Sequence, residues 1–184
     1  MRIIAGKYRG RRLKAPRGRR IRPTSDRLRE TIFNIIGRDI MGRNVVDLCA
    51  GTGAMGIEAL SRGAEQVVFT DKHPGALACV RSNMEPLGVE HQWQAVRWDA
   101  GLDLRCLRTL KMRFSFAFID PPYNQGLADK VLRNLVEADV LLAGSLIVVE
   151  HDHLEGIAPQ DGRLTLQDQR RYGKTLVTFL RTMV

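Results

Sequence analysis

The sequence predicts an α/β fold in which strands and helices alternate around a mostly parallel sheet. Short apolar runs at 45–48, 66–70 and 114–119 are separated by segments of helical periodicity at 54–61, 74–87 and 127–138. Carboxylates recur where the runs end, at Asp47, Asp71, Asp99 and Asp120. In a parallel sheet those ends share one edge, the edge at which such folds bind ligands. The first run also opens directly into Gly51-Thr52-Gly53-Ala54-Met55-Gly56, the sequence of a strand, a tight turn and the start of a helix.

A chain of 184 residues suffices for one domain with a substantial core and a small appendage. The boundaries expected are an extension over 1–37 and the main domain over 38–184. The apolar fraction is 44%, yet no apolar run approaches the ~20 residues of a membrane helix, and the first residues lack a signal-peptide core. These features predict a cytoplasmic protein with no membrane partner. Cys49, Cys79 and Cys106 are odd in number and far apart, unlike a disulfide framework or a zinc site, so a reducing compartment and no metal are expected. His151 and His153 flank Asp152 in what reads as an exposed loop.

Charge is concentrated at one end. Residues 1–29 hold twelve Lys and Arg against Asp26 alone, a net +11, which leaves −2 for the other 155 residues of a chain whose total is +9. Residues 2–14 read as a short hairpin with glycine bends, and Pro16 and Gly18 then release a basic segment. Arginine's planar fork suits bidentate phosphate contacts and stacking on bases, so structured nucleic acid is the expected partner. The candidate RNA-binding residues are Arg2, Lys7, Arg9, Arg11, Arg12, Lys14, Arg17, Arg19, Arg20 and Arg22, with Tyr8 as a possible stacking ring. A helix over 26–36 follows, capped by Ser25 or Thr24 and closed by Gly37. It places Leu28, Ile32, Ile35 and Ile36 on one face and Arg27 and Arg29 on its surface.

The glycines at 51, 53 and 56 form a natural cradle for a small molecule, and they match a dinucleotide pattern as well. Asp47 separates the two cofactor classes, because a carboxylate beside this turn repels a pyrophosphate and attracts the ammonium of an amino-acid moiety. S-adenosylmethionine carries such an ammonium. Asp71, about twenty residues past the first glycine, can accept both hydroxyls of a ribose, and that reading serves S-adenosylmethionine and NAD equally. Asp99 can accept from an adenine amino group or cap the next helix. Cys49, Ala50, Gly51 and Gly53 in the turn, Lys72 beside Asp71, and Ala100 beside Asp99 complete the candidate cofactor site.

The strand at 114–119 ends in Asp120-Pro121-Pro122-Tyr123. Two prolines remove two N–H donors and stiffen the turn, which leaves the Asp120 carboxylate and backbone carbonyls as acceptors. Such a pocket suits the exocyclic amine of a nucleobase, held so that its lone pair faces a sulfonium methyl while Tyr123 stacks on the base. Asp120, Pro121, Pro122 and Tyr123 are therefore the candidate catalytic residues.

These motifs together resemble class I S-adenosylmethionine-dependent methyltransferases acting on exocyclic amines. Residues 2–13, Arg22-Pro23-Thr24-Ser25-Asp26-Arg27-Leu28-Arg29-Glu30-Thr31 and Glu58-Ala59-Leu60-Ser61-Arg62-Gly63-Ala64 resemble the RsmD family within that class. The resemblance implies a Rossmann-like seven-stranded sheet with an antiparallel C-terminal hairpin and a small basic N-terminal hairpin and helix. It implies methyl transfer to guanine N2 of 16S ribosomal RNA, free or in the assembling small subunit, by a monomer. It gives Asp47, Gly51 and Gly53 the methionine end of the cofactor, Asp71 the ribose, Asp99 the adenine and 120–123 the guanine. Cys49-Ala50 departs from the glycine or phenylalanine-alanine of many class members. The competing readings are a DNA adenine-N6 methyltransferase, a nicotinamide oxidoreductase and a non-catalytic RNA-binding protein.

Overall fold

The computed structural model describes residues 1–15, 25–123, 125–157 and 162–183. Helix α1 (Asp26–Ile36) leads into β1 (Asn44–Leu48), α2 (Ala54–Ser61), β2 (Gln66–Asp71), α3 (Pro74–Met84) and β3 (Trp93–Arg97). Then come α4 (Arg105–Arg108), β4 (Phe114–Ile119), α5 (Leu127–Glu137), β5 (Leu141–Asp152), β6 (Leu164–Tyr172) and β7 (Thr175–Thr182). Seven strands form one sheet in the order β3-β2-β1-β4-β5-β7-β6. All neighbouring pairs are parallel except those of β7, which runs antiparallel to both β5 and β6. This is the expected mostly parallel sheet with an antiparallel closing hairpin.

The strand sequences explain why both faces are covered. Side chains alternate along a strand, so each run feeds two cores. Val45, Val67, Phe69, Phe116 and Phe118 pack with α1, α2 and α3. Val46, Leu48, Val68, Ala117 and Ile119 pack with α4 and α5 on the other face. Helix α2 sits so close to β2 that a Cβ on Gly56 would lie 2.4 Å from the Phe69 ring, so the third glycine of the turn serves packing. The chain runs outward from β1 to β3 and then returns to β4 on the other side of β1. That reversal opens a crevice at the carboxyl ends of β1 and β4.

The N-terminal hairpin is reduced to a single antiparallel bridge between Arg2 and Arg12. Ile3 and Gly10 N–H still donate across it to the Arg11 and Ile3 carbonyls at 3.0 and 2.8 Å, while Ile4 and Ala5 N–H donate to the Glu58 carboxylate at 2.8 and 3.0 Å, and Lys7 N–H to the Ser61 carbonyl at 2.7 Å. Gly6 touches the same carbonyl, which a Cβ there would meet at 1.8 Å. Ile3, Tyr8 and Leu13 are buried in the same apolar cluster as Ile32 and Val45. Tyr8 is thus a core residue with Lys7 and Arg11 over its ring, rather than a surface for stacking bases.

Other expectations also change. Arg29 is fully buried, not on the helix surface, with Nη2 donating to the Arg2 carbonyl at 2.6 Å and to Asp26 at 3.0 Å. His151 is buried in β5, not in an exposed loop, with Nε2 2.8 Å from the Thr178 hydroxyl. The third strand begins at Trp93, after residues 90–92 form a 3-10 turn. Ser25 caps α1 through the Leu28 N–H, as expected, whereas Thr24 and the basic residues Arg17, Arg19, Arg20 and Arg22 lie outside the described residues. Among the described residues no helix is long and apolar enough to cross a membrane.

Candidate functional site

A cavity of about 540 Å³ opens where the carboxyl ends of β1, β2, β3 and β4 converge, a size suited to a nucleoside-bearing ligand. From β1 and its turn come Asp47, Cys49, Ala50, Gly51 and Thr52. Asp71 and Lys72 come from the end of β2, Asp99 and Ala100 from the loop after β3, and Asp120, Pro121, Pro122 and Tyr123 from the end of β4. The structure thus gathers the candidate cofactor and catalytic residues around one space. Gly53 is not part of the lining: it caps α2 in a left-handed conformation, and a Cβ there would press on Val80 at 3.1 Å.

Each carboxylate is held differently. Asp47 is 2% exposed, and one of its oxygens accepts from the Gly56 N–H at 2.9 Å, so it braces the start of α2 while lining the cavity. Burial pushes its carboxyl up to about 7, partly offset by that N–H, and the nearby Asp71 charge adds to the rise. Asp71 accepts from the Gly51 N–H at 3.0 Å through one oxygen and from the His73 N–H at 2.8 Å through the other. Each oxygen keeps a second lone pair, which matches a pair of vicinal hydroxyls. Asp99 accepts from the Gly101 N–H at 3.0 Å and lies 3.6 Å from Lys72 Nζ, so it closes a local turn instead of capping α4.

Among the described residues, four carboxylates and a single lysine give the cavity a strongly acidic lining. The Cys49 thiol registers it: burial, followed by Asp71, Asp120, Asp47 and Asp99, pushes its ionisation well above the ordinary range. Cys49 is therefore a neutral wall, not a nucleophile. A pyrophosphate would be repelled here, while a ligand carrying ammonium and sulfonium charges would be attracted. The donor set fits S-adenosylmethionine.

Tyr123 shows partners that the sequence did not disclose. Its hydroxyl donates to Glu150 at 2.5 Å and lies 3.1 Å from the Thr175 hydroxyl, so residues of β5 and β7 hold the phenol. Burial and the Glu150 charge push the phenol up, keeping it protonated. Glu155 accepts from the Gln125 and Gly126 N–H groups at 3.0 and 3.2 Å and fixes the far side of the same loop. The cavity also gains Trp98, His73, Ala76 and Leu127. Only Trp98 carried a signal, as the aromatic neighbour of Asp99.

The candidate RNA-binding residues within the described part, Arg2, Lys7, Arg9, Arg11, Arg12 and Lys14, are all exposed on the docked N-terminal segment. The backbone of Lys14 is gripped by Asn83, whose Oδ1 accepts from its N–H at 2.8 Å. Asn83 Nδ2 also donates to the Thr52 carbonyl at 3.0 Å, joining the segment to the wall of the cavity.

A family model described as conserved hypothetical protein 95 matches residues 1–181. The Bacillus subtilis protein YlbH is 38% identical over 175 residues, 95% of each chain. Escherichia coli ribosomal RNA small subunit methyltransferase D is 30% identical over 174 residues, 95% of this chain and 86% of its own. The solved structure of the Escherichia coli protein yhhF superposes with a TM-score of 0.84 at 28% identity, over 100% of this chain and 98% of its own. The chain belongs to the family described as conserved hypothetical protein 95, the RsmD-type S-adenosylmethionine-dependent methyltransferases.

Proposed function

We propose that the protein methylates the exocyclic N2 of a guanine in 16S ribosomal RNA, acting as a cytoplasmic monomer on the free RNA or the assembling small subunit. The observation that carries the reading is the meeting, in one cavity, of an acidic cradle and the acceptor-rich turn 120–123. The relative named ribosomal RNA small subunit methyltransferase D and the basic segment supply the polymer. In this reading residues 1–37 form the RNA-binding extension and 38–184 the methyltransferase domain.

S-adenosylmethionine, when bound, supplies an electrophilic methyl on sulfur. Asp47 holds the ammonium, Asp71 the ribose hydroxyls and Asp99 the adenine amine, with Cys49, Ala50, Gly51, Lys72 and Ala100 forming the walls. Asp120 and the Pro121 carbonyl accept from the target amine, whose lone pair is delocalised into the ring, and hold it pyramidal. Positive charge that builds on the nitrogen is met by the Asp120 carboxylate, which takes up the proton the amine gives off as its bond to the methyl carbon replaces the sulfur–carbon bond. A base inside a helix hides this edge, so the target is flipped out or lies in a loop. Incubation of unmethylated 16S RNA and small subunits, in competition with DNA, with labelled cofactor, followed by mapping, is expected to place the label on one guanine N2. Label on adenine N6 of DNA instead, or no label, would overturn the assignment.

Cofactor affinity is expected to depend on pH through Asp47. With its carboxyl raised to about 7, the incoming ammonium must expel a proton below that pH. Affinity therefore falls as pH drops from about 7 to 5.5, approaching tenfold per unit, and is level just above 7. Asp47→Asn is expected to weaken binding about 10- to 100-fold at neutral pH and to flatten the profile. Calorimetric titration of S-adenosylmethionine at stepped pH measures both effects.

Tyr123→Phe keeps the ring and loses the bonds to Glu150 and Thr175, so a change of only a few-fold in turnover is expected. Tyr123→Ala removes the stacking surface, worth about 1–3 kcal/mol per base, and is expected to lower kcat/KM for RNA by about 5- to 150-fold. Equal kinetics for the two variants would remove the ring from the site.

A further inference from the structure

A second cationic surface lies on the β6–β7 hairpin. Residues 162–183 hold Arg163, Arg170, Arg171, Lys174 and Arg181 against Asp168 alone, a net +4, whereas residues 30–161 sum to −6. The body of the protein is thus acidic except here.

Position within the hairpin sorts these cations. Leu164 pairs with Thr182, so Arg163 and Arg181 lie at the end away from the cavity. Arg170 is engaged by Asp168 at 2.8 Å. Arg171 commits only Nε, to the Gly173 carbonyl at 2.8 Å, and the Lys174 ammonium has no hydrogen bond or ion pair among the described residues. Charges along an edge strand also deter pairing with other sheets, which accounts for Arg170 and Arg171 in β6 but not for a lysine in the turn beyond the strand.

The turn sits at the catalytic end of the sheet. Because β7 runs against β5, residues 172–175 emerge beside the carboxyl end of β5, where Asp152 pairs with Thr175. The Thr175 hydroxyl lies 3.1 Å from the Tyr123 hydroxyl, and the His153 N–H donates to the Lys174 carbonyl at 2.8 Å. Tyr172, 36% exposed, completes the tip. A base seated against Tyr123 therefore has its neighbouring nucleotides within reach of two cations and an aromatic ring.

We propose that the β6–β7 turn is a second RNA-contact surface, in which Arg171 and Lys174 take phosphates flanking the target nucleotide and Tyr172 stacks on an adjacent base. The proposal rests on the RNA-methyltransferase reading above. Charge complementarity selects the occupant: a polyanion strand is attracted to this tip, and the acidic remainder of the body steers it there.

The test uses the full-length protein, an Arg171→Gln/Lys174→Gln double variant and a Tyr172→Ala variant, with unmethylated 16S RNA and unmethylated small subunits as the probes. The double variant is expected to bind RNA roughly tenfold more weakly near 150 mM salt, with the slope of log affinity against log salt shallower by about 1–2. Tyr172→Ala is expected to weaken binding about fivefold or more without changing that slope. S-adenosylmethionine affinity and melting temperature should match the wild type in both variants. If the wild type methylates RNA and both variants retain its affinity and salt slope, this surface is refuted while the functional reading stands. If the wild type binds and methylates neither the free RNA nor the small subunit, both fall. A variant that changes only from dimer to monomer would show the tip to be a contact between copies, and that also refutes the proposal.

Discussion

An Asp120→Ala protein is expected to lose about 10²- to 10³-fold in the methyl-transfer rate while keeping its fold and losing only a few-fold in affinity for S-adenosylmethionine. Asp120 lies past the last residue of β4, at the rim of the cavity, so its removal leaves the strand's packing intact. What is lost is the charged acceptor that orients the amine and offsets the positive charge on nitrogen. Asp120→Asn retains one acceptor but turns an NH₂ toward a substrate that is itself a donor, so it should be impaired nearly as much. Single-turnover methylation at saturating cofactor, paired with calorimetric binding, separates the chemical step from cofactor capture. A rate within a few-fold of wild type would show that the carboxylate does not hold the amine.

The same carboxylate illustrates which parts of the molecule the sequence discloses. Asp47, Asp71, Asp99 and Asp120 could be placed on one edge because each stands in or just past the last residues of a strand, and parallel strands must end together. Helix α1 was legible to its last residue, since Ser25 caps it and Gly37 ends it. The support behind Tyr123 was not legible. Glu150 and Thr175 are 27 and 52 residues away in the chain, and only the register of β5 against β7 brings them to the phenol. Burial of polar side chains was equally hidden: His151 looks like a loop residue until the Thr178 hydroxyl of β7 meets its ring, and Arg29 looks solvated until the Arg2 carbonyl reaches it. Local pattern reveals where a strand ends and what chemistry it presents. Partners supplied by distant segments require the topology.

The N-terminal segment is where such a distant partner matters most, and Glu58→Ala is expected to show it. Glu58 is 1% exposed, and its carboxylate accepts from Ile4 N–H, Ala5 N–H and Arg62 Nε at 2.8, 3.0 and 2.8 Å. Removing it leaves a largely buried guanidinium and two backbone donors without that acceptor, a loss of about 3–5 kcal/mol. For a domain of this size the melting temperature should fall by roughly 6–20 °C. Glu58→Gln, which keeps one acceptor oxygen, should fall by about half as much. Faster hydrogen exchange at Ile4 and Ala5 than in the strands would locate the damage in the segment rather than the sheet. Function is expected to follow, because Arg2, Lys7, Arg9, Arg11, Arg12 and Lys14 keep their places only while this backbone is docked. Glu58 lies on α2, whose first turn continues from Gly53, so the helix that anchors the cationic segment at one end carries the cofactor cradle at the other. Asn83 closes the circuit by binding both Lys14 and the Thr52 carbonyl. Undocking should therefore weaken RNA binding most and cofactor binding to a lesser degree. A Glu58→Ala protein that melts within about 2 °C of wild type and binds RNA normally would show that Ile3, Tyr8 and Leu13 dock the segment without the carboxylate.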